Sequence, residues 1–78
     1  MSIMSDQWRD HIVSSPEILR GKARLRGTRI PVSLILGYLA EGYDYGQIRA
    51  EHPDVTEQHI AASLAYARDL AESETAAA

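Results

Sequence analysis

Cysteine and phenylalanine are absent from this 78-residue chain, and tryptophan occurs once, at Trp8. Without cysteine there is no disulfide, no thiolate nucleophile and no Cys-type zinc or iron–sulfur site. Large apolar side chains are scarce too. The hydrophobic share is 45%, but it includes eleven alanines, which leaves 24 larger residues. That builds one small core, because small domains bury a modest fraction of their surface. It argues against an enzyme with a deep, water-excluding pocket, and for a partner or a second copy. No apolar run approaches the roughly 18 residues of a membrane span. Met1 to Asp10 lacks the basic-then-apolar pattern of a signal peptide. The expectation is one cytoplasmic domain over residues 1–78, not an enzyme, with no membrane partner and no cofactor.

Acid is also missing, but only locally. From Ile18 to Ala40 there is no Asp or Glu, although the chain has eleven acids and a net charge of −3. Arg20, Lys22, Arg24, Arg26 and Arg29 are five of its eight basic residues and fall within ten positions. Such segregation creates a local positive field on an acidic body, which a phosphate backbone senses. Two other readings stay open. Basic residues also protect the edge of a strand, and four arginines would suit an acidic protein surface equally well.

Along the chain, Ile12–Val13 and Ala23–Leu25 read as strands that pair into a ribbon. Ser14-Ser15-Pro16-Glu17 between them reads as a turn or a single helical turn, with Ser15 as cap and Pro16 at the first helical position. Gly27-Thr28 interrupts the second strand and Arg29-Ile30 resumes it. A lone two-stranded ribbon is marginal in water, so it needs helices beneath it or a second copy; a homodimer is expected. Pro31 opens a first helix whose Val32, Ile35, Leu36 and Leu39 follow helical spacing, and Gly42 ends it. Asp44 caps a short second helix, Tyr45 to Glu51, that buries Ile48. Thr56 caps a third, with Glu57 in its first turn, an apolar stripe of Ile60, Leu64 and Ala67, and Ala61 for close approach. It fades near Glu72. The division is a ribbon over 8–30, a trihelical core over 31–72 and a flexible tail over 73–78. Short helix, tight turn, longer helix is the outline of a helix-turn-helix.

The run Gly21-Lys22-Ala23-Arg24-Leu25-Arg26-Gly27-Thr28-Arg29-Ile30-Pro31-Val32, with Ser15-Pro16-Glu17-Ile18-Leu19 before it, resembles the family called domain of unknown function 433. Leu39-Ala40-Glu41-Gly42-Tyr43, His52-Pro53-Asp54-Val55-Thr56 and Ile60 to Ala67 follow in the family's order. The resemblance covers about Ile12 to Ala71. It implies a mostly α, homeodomain-like trihelical fold with an N-terminal β-ribbon, dimeric. It also implies an antitoxin of a type II toxin–antitoxin module, which binds a PIN-like ribonuclease toxin and represses its operon through operator DNA. The sequence departs from the family pattern at Arg20, where Gly is usual, at Ala23, where Pro is usual, and at Gly46, where an acid is common.

These readings nominate two sets of residues. Nucleic-acid contact falls to Arg20, Lys22, Arg24, Arg26, Thr28 and Arg29 on the ribbon. Gln58, His59 and Ser63 join them from the third helix, on the face away from Ile60 and Leu64, since Gln, His and Ser can contact bases or phosphates. Toxin contact falls to Tyr43, Tyr45, Tyr66 and Leu70, because amphipathic Tyr suits interfaces. The alternative is a protein-only module that grips an acidic partner with the ribbon and ignores DNA. His11, His52 and His59 form no metal motif. No Gly-x-Ser-x-Gly context or phosphate loop is present.

Overall fold

The computed structural model describes residues 8–75, so residues 1–7 and, of the expected tail, residues 76–78 lie outside the described residues. Strand β1 (Ile12–Val13) pairs antiparallel with β2 (Arg24–Leu25), in the register Ile12↔Leu25 and Val13↔Arg24. Three helices follow: α1 (Val32–Ala40), α2 (Tyr45–Glu51) and α3 (Glu57–Thr75). A 3-10 turn at Trp8–Asp10 opens the region expected as ribbon over 8–30, and its first strand starts at Ile12.

Local chemistry sets each boundary. The chain reverses at Leu25–Thr28, where the Thr28 N–H donates to the Leu25 carbonyl at 3.0 Å. Gly27 supplies the positive φ, +82°, at the third turn position. Arg29-Ile30 therefore does not resume β2. It folds back alongside it: the Leu25 N–H donates to the Ile30 carbonyl and the Val32 N–H to the Ala23 carbonyl, each at 2.9 Å. With β1 on one side and this return on the other, β2 is hydrogen-bonded along both edges. Pro31 sits at the N-cap of α1 with extended dihedrals, one position before the helix proper. Pro16 likewise opens no helix; Ser15 and Ile18 form a bridge around a turn.

Helix α1 ends in a Schellman motif. The Gly42 N–H reaches the Leu39 carbonyl and the Tyr43 N–H the Tyr38 carbonyl, both at 3.0 Å. Gly42 takes φ +92°, and the Tyr38 and Tyr43 rings stack at 4.9 Å across the turn. Asp44 then caps α2 through a full capping box with Gln47. Each step satisfies orphan backbone groups that a helix end leaves behind.

The core is Ile12, Leu25, Val32, Ile35, Ile48, Val55 and Ala62. The ribbon thus contributes Ile12 and Leu25 to the same core as the helices. The need for support that argued for a dimer is met within one chain. Helix α3 packs on the Trp8–Asp10 turn, on α1 and on β1. Its buried face corrects the expected stripe. Ala62 and Ser63 are buried, while Leu64 is 51% exposed and Ala61 faces solvent. Small side chains let the helix axis approach its neighbours closely. Of the expected stripe, Ile60 packs against the core and Ala67 is half-buried, and Leu64 is the member turned out. The helix also runs on to Thr75, three residues beyond the expected fade.

Candidate functional site

The basic stretch divides into engaged and unengaged cations. Arg24 is half-buried; its Nε donates to the Thr28 carbonyl at 3.0 Å and its Nη1 to Ser15 Oγ at 3.3 Å. It ties the turn to the loop before it. Arg26 reaches back, with Nε on the Asp10 carbonyl at 2.8 Å and Nη2 on the Arg9 carbonyl at 3.4 Å. Thr28 is a turn residue: its Oγ1 donates to the Leu25 carbonyl at 2.8 Å and accepts from the Ile30 N–H at 3.0 Å. These three sequence-nominated contact residues serve the fold. By contrast, the side chains of Arg20, Lys22 and Arg29 are exposed, with no hydrogen bond or ion pair among the described residues.

On α3 two of the nominated base readers are inside. His59 is 8% exposed and Ser63 fully buried; Gln58 alone faces solvent. Thr56 and His59 form a reciprocal cap. The His59 N–H donates to Thr56 Oγ1, and the Thr56 N–H donates to His59 Nδ1, both at 3.1 Å. This is a capping box with His in the place of Glu or Gln. Ser63 Oγ donates to the His59 carbonyl at 2.9 Å. Since Nδ1 accepts, the neutral ring carries its proton on Nε2. Burial lowers the His59 pKa from its ordinary 6.5. A hydrogen bond from the ring to the Arg26 backbone opposes this, and the charge of His11 reinforces it. The His11 ring lies edge-on at 6.3 Å.

The nominated tyrosines fall in different places. Tyr43 stacks on Tyr38, whose hydroxyl meets His52 Nε2 at 3.1 Å. Tyr45 is half-buried at the start of α2. Tyr66 packs at right angles to Trp8, 5.0 Å between ring centroids. Trp8 Nε1 donates to Asp69 Oδ2 at 2.7 Å, and Arg9 lies 4.3 Å over the indole. Only Tyr66 and Leu70 of this set line one feature, an open groove of about 460 Å³ shared with Lys22 and Leu36.

One feature was not legible in the sequence. Leu19, Arg20 and Gly21 are consecutive left-handed residues, at φ +54°, +56° and +81°. For Leu19 and Arg20 that conformation costs about 1–2 kcal/mol each. Arg20 stands where the family resembled usually has Gly, and its dihedrals explain why Gly suits the position. Among the described residues no group of three or more His, Asp or Glu is placed to hold a metal. Nor, among the described residues, is any helix long and apolar enough to cross a membrane.

With this geometry in view, the comparisons with known proteins concern the family. The model of the protein family of unknown function DUF433 matches residues 12–67. The chain belongs to the DUF433 family. The crystal structure of a DUF433 member protein from Anabaena variabilis superposes with a TM-score of 0.74 at 28% identity, covering 87% of this chain and 67% of that one. No curated protein matches the chain. Ribbon, trihelical arrangement and family agree with the expectation from the Gly-Thr-Arg-Ile-Pro-Val block.

Proposed function

We propose that this DUF433 chain is a non-catalytic binding module of the antitoxin type, which holds an acidic protein partner against its basic stretch. One observation carries the reading: Arg20, Lys22 and Arg29 emerge exposed and unengaged from a stretch with no acid between Ile18 and Ala40. A PIN-like ribonuclease toxin, whose metal is held by clustered acids, is the partner that the family resemblance implies. A cation set over such a cluster would block it directly. The test is calorimetric titration of the purified chain with the protein encoded beside it, at rising salt. A complex that weakens with salt and inhibits nuclease activity supports the reading; absence of any complex overturns it.

Operator DNA is the second reading, supported by the same three cations. Because His59 and Ser63 are interior, base readout by α3 keeps Gln58 alone of the three nominated residues. DNA affinity would come from phosphates. Three contacts give a log–log salt slope of about −2.7. A promoter titration that yields sequence-specific binding with a much steeper slope would point to a larger DNA surface than these cations provide. A homodimer belongs to this proposal as well. A second copy would cover Leu34 and Leu64, which α1 and α3 leave exposed; sedimentation equilibrium reads it directly.

A further inference from the structure

The left-handed turn Leu19–Gly21 is a saddle between two depressions that share Gly21. On one side lies a shallow, open basin of about 480 Å³, walled by Ser14, Ser15, Pro16 and Arg20. On the other lies the groove of about 460 Å³, where Lys22, Ala23, Val32, Leu36, Tyr66 and Leu70 make a mostly apolar wall. We propose that this saddle is the docking seat for a short peptide segment of the protein partner, in which carboxylates are followed by apolar side chains.

Charge decides the first half of that description. Among the described residues neither depression is lined by an acid; Glu17, the only acid between Ser14 and Ala40, lines neither. Arg20 is exposed and unengaged, and Arg24 stands behind the basin with Nη1 on Ser15 Oγ. Arg20 lines the hollow and Lys22 lines the groove beside it, and a guanidinium matches a carboxylate by shape as well as charge. Apolar area decides the second half. Leu70 is 49% exposed and stands beside half-buried Leu36 and Tyr66. A nucleic-acid backbone has nothing apolar to seat there, whereas a leucine-like side chain gains by leaving water. At the crest, Gly21 has no neighbour within 4 Å of where a Cβ would stand, so a peptide backbone can cross closely. Strained backbone of this kind gathers at ligand clamps.

The seat rests on the protein-partner reading above, and the experiment separates the two. The probe is a short acetylated peptide with two aspartates followed by two leucines; a control carries lysines in place of the aspartates. Amide chemical-shift mapping on the full chain is expected to move Gly21, Lys22, Ser33 and Leu70 with the acidic probe only. Arg20→Gly removes the guanidinium in a backbone that glycine adopts freely, and should weaken the probe about threefold, as an exposed ion pair does. Leu70→Glu should weaken it at least about tenfold. Trp8 fluorescence, reporting the Trp8–Tyr66 packing, checks that each variant is folded. Shifts elsewhere, equal binding of the lysine control, or no shifts at millimolar probe overturn the seat. So does displacement of the probe by a short DNA duplex that moves the same amides. If the neighbour's complex forms but ignores Leu70→Glu, the seat fails while the partner reading stands; if no complex forms, the partner reading fails and the seat with it.

Discussion

Acid should loosen this fold at the His59–Thr56 cap, and the size of the effect follows from the geometry. His59 Nδ1 accepts the Thr56 N–H at 3.1 Å, so adding a proton at Nδ1 sets one N–H against another. Burial opposes the charged ring as well, and the folded pKa lies below 6.5. The unfolded chain, titrating near 6.5, then binds the proton first. Stability conferred by neutral His59 is complete above pH 6.5. It is lost as pH falls from 6.5 toward the folded value, with a slope of up to about 1.4 kcal/mol per pH unit. His59→Gln isolates this contribution. Gln at this position closes a standard capping box but does not titrate. Urea unfolding followed by Trp8 fluorescence from pH 8 to pH 5 supplies both curves. The two proteins should agree to within about 1 kcal/mol at pH 8. The wild type should then fall away from the variant below pH 6.5. Parallel curves, or a variant more acid-sensitive than the wild type, would refute the reasoning.

Four further outcomes are expected. Arg20→Gly relieves a left-handed, non-glycine residue at φ +56° and should stabilise the chain by about 0.5–1 kcal/mol in the same assay, the strain relieved exceeding the entropy lost. Gly42→Ala, at φ +92° in the Schellman turn, should cost about 1–2 kcal/mol. Gly46→Ala should gain up to about 1 kcal/mol of helix propensity, because the added Cβ meets only Asp44 Oδ1, at 3.4 Å; a loss would show that the Asp44 cap is disturbed. Asp44→Ala should cost about 1 kcal/mol, read as a lower urea midpoint with an unchanged m-value.

Much of the fold was legible where local chemistry decides it. The pairing of Ile12–Val13 with the segment ending at Leu25, the Gly42 stop, the Asp44 cap and the bounds of α2 follow from alternation, a left-handed glycine and a side-chain acceptor. Each operates within a few residues. Helix α3 shows where such reasoning ends. Its residues are mostly alanine and polar, so the pattern offers two faces of similar hydropathy. Ile60 and Leu64 marked one face as apolar; the fold centred the buried face on Ala62 and Ser63, kept Ile60 at its margin and left Leu64 out. The expected use of His59 failed for a related reason. A histidine three residues after a threonine can cap a helix or face a ligand, and only its burial separates the two.

The basic stretch divides in the same way. Its charge, its freedom from acid and its reversal at Gly27 belong to the sequence, since composition and a required positive φ need no context. Which cations are available was settled by tertiary contact. Arg24 and Arg26 found carbonyl acceptors on the turn and on the Trp8–Asp10 segment. Arg20 was held on a left-handed crest that no residue pattern announces. A guanidinium engages whatever acceptor the fold brings near, and acceptors distant in sequence become neighbours only when the chain has packed.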